Sequence, residues 1–140
     1  MGFQEKMAWA MMIILSVTGV AYYSQVFQAS AALGATVPPV LPLMIGYVVF
    51  LVILSIVVAV AISISKPSEA SASLDEREQL IQYKGEAWSS RAMGFLVLCA
   101  LLDFGLNGDG NRLFHAVFGI LILGQIAEYG LQILFFRRGS

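Results

Sequence analysis

Residues 43–65 have the sequence LMIGYVVFLVILSIVVAVAISIS, which contains no charged side chain. A helix needs about 20 apolar residues to cross a bilayer core of about 30 Å. A soluble domain could bury one such helix, but other residues would then have to cover every face of it. We therefore interpret residues 43–65 as a membrane-spanning helix.

Three further segments have the same character, at about residues 7–27, 88–106 and 113–136. Four such segments in 140 residues leave no sequence to cover their outer faces. The composition agrees, because 12% of the residues are charged, against about 25% in a typical soluble domain. We predict an all-α integral membrane protein, a four-helix bundle that forms a single transmembrane domain over residues 1–140.

The distribution of Lys and Arg predicts the orientation, since the cytoplasmic flanks of spans are rich in both. Seven of the eight basic residues fall on one side if both termini and the loop after residue 65 are cytoplasmic; Arg112 alone falls outside. The net charge of -1 gives no reason to expect a nucleic acid partner. The predicted partner is the lipid bilayer. The sequence does not decide whether the protein also forms a homo-oligomer or joins a larger membrane complex.

Residues 73–88, SLDEREQLIQYKGEAW, form a dense polar segment directly before the third span. Ser73 and Glu76 have the spacing of a capping box, in which each side chain bonds the backbone N–H of the other residue. This predicts a helix that starts at Leu74 and covers about residues 74–88. No proline follows before the third span, so we expect an amphipathic cytoplasmic extension of that span.

Helical spacing divides this extension into two faces. The apolar and basic face consists of Arg77, Leu80, Ile81, Tyr83, Lys84, Ala87, Trp88 and Arg91. The acidic face consists of Asp75, Glu78, Gln82 and Glu86. Apolar side chains mixed with basic ones suit the lipid headgroup layer, and the acidic face would then point into the cytoplasm. A protein-docking face and a plain solvated helix are the alternatives.

Two acidic residues lie inside predicted spans, where an ionisable group is costly and is therefore a candidate for function. Asp103 is near the outer end of the third span, where Arg112 or His115 could pair with it. Glu128 lies about 12 Å from the inner end of the fourth span, and we expect Cys99 at a similar depth. Glu128 is interpreted either as a neutral, hydrogen-bonded group between helices or as a proton- or cation-binding site.

A stripe of side chains at a spacing of about 3.5 residues runs along the fourth span next to Glu128. Its members are His115, Phe118, Ile122, Gln125, Tyr129 and Gln132. Polar side chains inside a membrane are expected to face other helices. We therefore predict that this stripe, with Gln125 and His115 in it, packs against protein.

The sequence contains no nucleophile–base arrangement, phosphate-binding loop or paired catalytic carboxylates. One histidine and one cysteine exclude a metal cage of Cys and His ligands. We therefore predict no enzyme activity, no catalytic residue, no metal site and no cofactor.

Three segments resemble a family of small, uncharacterised bacterial membrane proteins: EKMAWAMMIILSVTGVAYY at 5–23, DEREQLIQYKGEAWS at 75–89 and NRLFHAVFGILILGQIAEYGLQILFFRRG at 111–139. Those proteins have four predicted helices, a cytoplasmic D-E-R-[DE] segment and a C-terminal Arg-Arg-Gly, and are often encoded beside helix-turn-helix regulators. The resemblance implies a bacterial inner-membrane location but no activity. Phe136 stands here where the family usually has Tyr.

The sequence thus favours a non-enzymatic, structural or regulatory membrane protein that engages a partner or the lipid surface through its cytoplasmic helix. The alternative is a minimal oligomeric transporter or ion-conducting protein that uses Glu128, supported by Asp103. A cavity or water at Glu128 would favour the alternative, and tight packing there would favour the first function.

Overall fold

A computed structural model describes residues 2–139, which form five α-helices and no strand. They are α1 (Phe3–Leu33), α2 (Leu41–Ser65), α3 (Pro67–Ala70), α4 (Glu76–Asn107) and α5 (Gly110–Arg138). The four long helices are each apolar enough to cross a membrane. The prediction of an all-α protein is confirmed, and each predicted span lies within one long helix.

Three of these helices are longer than a bilayer core requires. α1, α4 and α5 have 31, 32 and 29 residues, so each is about 44–48 Å long, against a hydrocarbon core of about 30 Å. α2, with 25 residues, comes closer to that thickness. α1, α4 and α5 therefore extend beyond the core, and the segment predicted as a cytoplasmic helix is the first part of α4.

α4 begins two residues later than predicted. Asp75 is its N-cap, and Asp75 and Glu78 form the capping box in place of Ser73 and Glu76. The Asp75 backbone N–H donates to Glu78 Oε2 at 3.3 Å, and the Asp75 side chain accepts from the Glu76 N–H at 2.9 Å. Both residue pairs satisfy the sequence pattern, and the pattern alone does not choose between them.

α5 lies at the centre of the packing, between α1 and α4, and α1 packs in turn against α2. No residue of α2 is buried, so most of its apolar surface faces outward, as expected of a helix surrounded by lipid. Tyr22 of α1, Tyr47 of α2 and Phe118 of α5 form an aromatic cluster with ring centroids 5.1–5.8 Å apart. This cluster joins the three helices.

Gly2, Gly139 and the connection between α2 and α4 lie at one end of the molecule, which we call the termini end. There, Arg137 Nε lies 3.6 Å from Glu5 Oε1, and Gln82 Nε2 donates to Gln4 Oε1 at 3.3 Å. In the short helix α3, a hydrogen bond and ion pair with Lys66 lower the pKa of Glu69. The α1–α2 and α4–α5 connections form the loop end.

Candidate functional site

The first part of α4 packs on α5 through small side chains. Ile81 (0% exposed), Gly85 and Ser89 are its buried residues, spaced four apart on one face. Ser89 Oγ donates to the Gly124 carbonyl at 2.7 Å. At Gly85 a Cβ would lie 2.8 Å from Gln132 Cγ and 3.2 Å from the Glu128 carbonyl oxygen. The glycine therefore permits the close approach of the two helices.

Most of the apolar and basic face of α4 points away from α5 and is uncovered. Leu80, Tyr83 and Trp88 are 47%, 69% and 59% exposed, and Arg77 and Arg91 are exposed beside them. The Arg91 guanidinium lies 5.7 Å from the Trp88 ring centroid. Lys84 and Ala87 are half-buried. The prediction was wrong for Ile81, which is a core residue and not part of this exposed face.

Only part of the acidic face of α4 lies open to solvent, at Asp75 and Glu86, which are exposed. Gln82 is half-buried, and Gln82 and Glu86 line a cavity together with residues of α1 and α5. Glu78 is half-buried and lines a second cavity with Gly2 and Glu5. Gln82 and Glu78 lie toward the neighbouring helices because Gly85, beside them on α4, packs closely against α5.

The cavity at Glu86 has a volume of about 290 Å³ and lies between α1, α4 and α5 at the termini end. We call it the termini-end cavity, and it is lined by Gln4, Met7, Ala8, Gln82, Glu86, Glu128, Tyr129 and Gln132. Gln132 Nε2 donates to Glu128 Oε1 at 3.2 Å. Within residues 2–139, neither cavity carboxylate has a basic side chain within ion-pair distance.

Apolar contacts fill the helix interfaces next to this cavity toward the loop end. On the α4 side, Met93 packs so closely on Gly124 that a Cβ at Gly124 would overlap the Met93 sulfur. On the α1 side, a Cβ at Gly19 would lie 3.2 Å from Ile122 Cγ2. The termini-end cavity is therefore backed by packed side chains where it meets the middle of the molecule.

Glu128 and Cys99 do not lie at a similar depth, contrary to the prediction. The Glu128 backbone is next to Gly85, and the Gly124 backbone is next to Ser89. Cys99 lies further along α4, about 20 Å from the level of Gly85 at helical rise. Glu128 is therefore close to the level of Trp88, a residue type that is enriched at the membrane–water boundary.

The remaining predicted polar residues lie apart from the cavity. Asp103 Oδ2 pairs with Arg112 Nε at 3.0 Å, and the Asp103 side chain also accepts from Asn107. His115 is buried and does not contact Asp103; its Nε2 lies 2.8 Å from the Val37 carbonyl oxygen. Gln125 is exposed, so the prediction that it packs against protein was wrong.

Sequence reasoning missed two features of the termini end. Gln4 lines the cavity from α1, although it precedes the predicted first span. Arg137 lies over Trp9, with its guanidinium 5.4 Å from the ring centroid. The contact of Arg137 with Trp9 had a signal in the sequence. One Trp lies near the predicted inner end of each of two spans, and basic residues are close to it in the sequence.

The fold defines an all-α, multi-pass membrane protein with a polar cavity between three helices at one end. No protein family, curated protein or solved structure matches this chain. The function proposed for it rests on the residues of the chain itself.

Proposed function

We propose that this chain is a non-enzymatic membrane protein that holds a partner protein at the inner surface of a bacterial membrane. The observation that carries the proposal is the uncovered face of α4 at Arg77, Leu80 and Tyr83. Leu80 and Tyr83 are large side chains that no other helix covers. Exposing such a surface to water has a free-energy cost that contact with a partner would offset.

The length of α4 favours a protein partner over the lipid surface for this face. If Trp88 lies at the edge of the hydrocarbon core, Leu80 lies about 12 Å and Arg77 about 16 Å beyond it along the helix. The headgroup layer adds only about 5–8 Å on each side of the core. Leu80 and Arg77 therefore extend past the headgroups, whereas Trp88 and Arg91 are suited to anchor the helix at the lipid boundary.

The charge of the exposed face indicates the chemistry of the partner. Arg77 and Lys84 flank the apolar side chains, so a segment that combines acidic and apolar residues would complement the face. The orientation with both termini in the cytoplasm rests on the distribution of basic residues along the chain.

Site-specific photo-crosslinking in living cells tests this proposal. A crosslinking amino acid at Leu80 or Tyr83 should form a protein adduct, and the same group at the lipid-facing Leu98 should not. The double substitution of Arg77→Glu and Lys84→Glu should abolish the adduct without lowering the amount of membrane-inserted protein. Absence of adducts at both Leu80 and Tyr83 would contradict docking through this face.

A second candidate is a minimal oligomeric transporter or ion-conducting protein that uses Glu128. One observation favours it, which is the termini-end cavity beside that carboxylate. The packed contacts of Met93 with Gly124 and of Ile122 with Gly19 lie between this cavity and the loop end. A single chain would therefore need a rearrangement, or a second copy, to pass a solute.

A further inference from the structure

We propose that the partner of the exposed face of α4 is a second copy of this chain, and that the two copies pair through their α4 helices. This inference rests on the proposed docking through α4 and names the partner. α4 is open to such a partner because the four long helices pack in the order α2, α1, α5, α4, so that α4 lies at one edge. Its neighbour α5 covers the side that carries Ile81, Gly85 and Ser89.

The side of α4 opposite α5 follows the seven-residue repeat of paired helices. Leu80, Ala87 and Gly94 are spaced by seven residues, and Tyr83 and Ser90 follow the first two at a distance of three. Side chains spaced in this way, about 3.5 residues apart, form the line along which two helices pack. We call these five residues the α4 seam. Ala87 is half-buried, and the other four are exposed.

The size of the seam residues changes along α4 in a way that suits pairing. Leu80 and Tyr83, on the aqueous side, are large and would bury apolar surface against a second copy. Ala87, Ser90 and Gly94 are small, and small side chains let two helix backbones approach closely within a bilayer. A Cβ at Gly94 would meet nothing within 4 Å, so this side of the helix has room for another backbone. Gly94→Ala would make the position no larger than Ala87 and is therefore compatible with the seam.

The flanks of the seam carry complementary charges. With Ala87 at position a of the repeat, Glu86 is at position g on one flank and Arg91 is at position e on the other. In a parallel pair, a g residue lies beside the e residue of the other helix, five positions later, and such residues form salt bridges between helices. Glu86 of each copy would therefore pair with Arg91 of the other. Both side chains are exposed, and within residues 2–139 neither forms an ion pair.

The membrane determines the relative direction of the two helices. All copies of a membrane protein insert with the same orientation, so two copies pair in parallel about an axis normal to the membrane. Arg91 lies about 5 Å further into the bilayer than Trp88 at helical rise. A charge at this depth is costly without a counter-charge, and Glu86 of the second copy would supply one. The combination of acidic and apolar residues expected of the partner is thus present on α4 itself.

Photo-crosslinking at Tyr83 identifies the partner. When two differently tagged copies are expressed together, the adduct should have twice the mass of the chain and contain both tags. An adduct that contains only a different protein would overturn the pairing of two copies and leave docking through α4 intact. Absence of any adduct at both Leu80 and Tyr83 would overturn docking as well, so the two proposals fail in different ways.

Exchange of charge tests the contact between Glu86 and Arg91. Glu86→Arg or Arg91→Glu alone places like charges side by side and should lower the yield of crosslinked dimer by about fivefold or more. The double variant restores opposite charges and should recover most of the dimer. Arg138→Glu makes the same change of charge at an exposed position of α5 and should leave the yield unchanged.

The pattern of recovery decides the result of this exchange. An unchanged yield in both single variants, or no recovery in the double variant, would overturn pairing through the α4 seam. The amount of membrane-inserted protein in the same samples distinguishes loss of pairing from loss of the protein. If a single variant fails to insert, co-expression of wild-type protein with the double variant keeps the test decisive. Their mixed dimer places like charges together at both contacts, so each protein should crosslink mainly with its own kind.

Discussion

At the scale of single residues, Gly85 determines how closely α4 approaches α5. Gly85→Ala would place a Cβ 2.8 Å from Gln132 Cγ and 3.2 Å from the Glu128 carbonyl oxygen. The backbone contact cannot be relieved by a side-chain rotation, so the helices must separate. We expect a loss of about 1–3 kcal/mol in the free energy of unfolding, measured by denaturant titration in detergent.

Gly94 is the matched control, because it lies on the same helix and a Cβ there would meet nothing within 4 Å. Gly94→Ala should leave stability unchanged or raise it by up to about 1 kcal/mol through its effect on helix propensity. Equal effects of the two substitutions would show that propensity, and not packing on Gln132, determines the result at Gly85.

Glu128 is the residue at which docking and transport make different predictions. Glu128→Gln retains an oxygen that can accept from Gln132 Nε2, so most of the stability should remain. Glu128→Ala leaves that donor unpaired and should cost about 1–3 kcal/mol. Unfolding of the wild type and both variants measures this difference.

The same variants test transport in proteoliposomes. Docking predicts that neither wild-type protein nor Glu128→Gln shows a flux driven by a pH gradient. A wild-type flux that Glu128→Gln abolishes, while the variant remains as stable as wild type, would establish the transport alternative.

At the scale of elements, α4 shows how far a sequence pattern can predict packing. The division into two faces is visible in the sequence, but the sequence does not identify the side of α4 that packs on α5. Ile81, Gly85 and Ser89 form the buried side, and two of these three are small. Within and near a membrane, helices approach through small residues while large apolar residues face lipid, so hydrophobic periodicity does not indicate the side that packs.

The exposed face of α4 should still bind anionic lipid weakly where it crosses the headgroup layer. A peptide of residues 72–92 carries Arg77, Lys84 and Arg91 with Trp88. It should gain helicity on anionic vesicles, as measured by circular dichroism, and lose it as salt is added, because salt screens this attraction. Equal binding to neutral vesicles would instead indicate insertion of Trp88 by the hydrophobic effect.

At the scale of the whole molecule, the sequence predicts the number of spans but not their neighbours. Span number follows from four apolar segments, since each must satisfy its backbone hydrogen bonds within a helix. The neighbours depend on side-chain fit, such as Ile122 against Gly19 and Tyr22 against Phe118. The cavity between α1, α4 and α5 could not be predicted, because Gln4 and Gln132 meet only after the three helices have packed.

The arrangement of the ends makes the orientation of the whole molecule testable. The first residues of α1, the last residues of α5 and the α2–α4 connection share the termini end, where Arg137 pairs with Glu5, and this end holds most of the basic residues. Lys and Arg are retained on the cytoplasmic side of bacterial membranes. We therefore expect the termini end to be cytoplasmic.

Thiol labelling tests this orientation. In a Cys99→Ala background, single cysteines at Ala32 and Gly110 should react with an impermeant thiol reagent added outside the cells. A cysteine at Ser71 should react only after the membrane is permeabilised. All three positions are exposed, so burial cannot produce a false negative. Reaction at Ser71 in intact cells would place α3 and the first part of α4 outside, and the partner proposed for Tyr83 would then have to be extracytoplasmic.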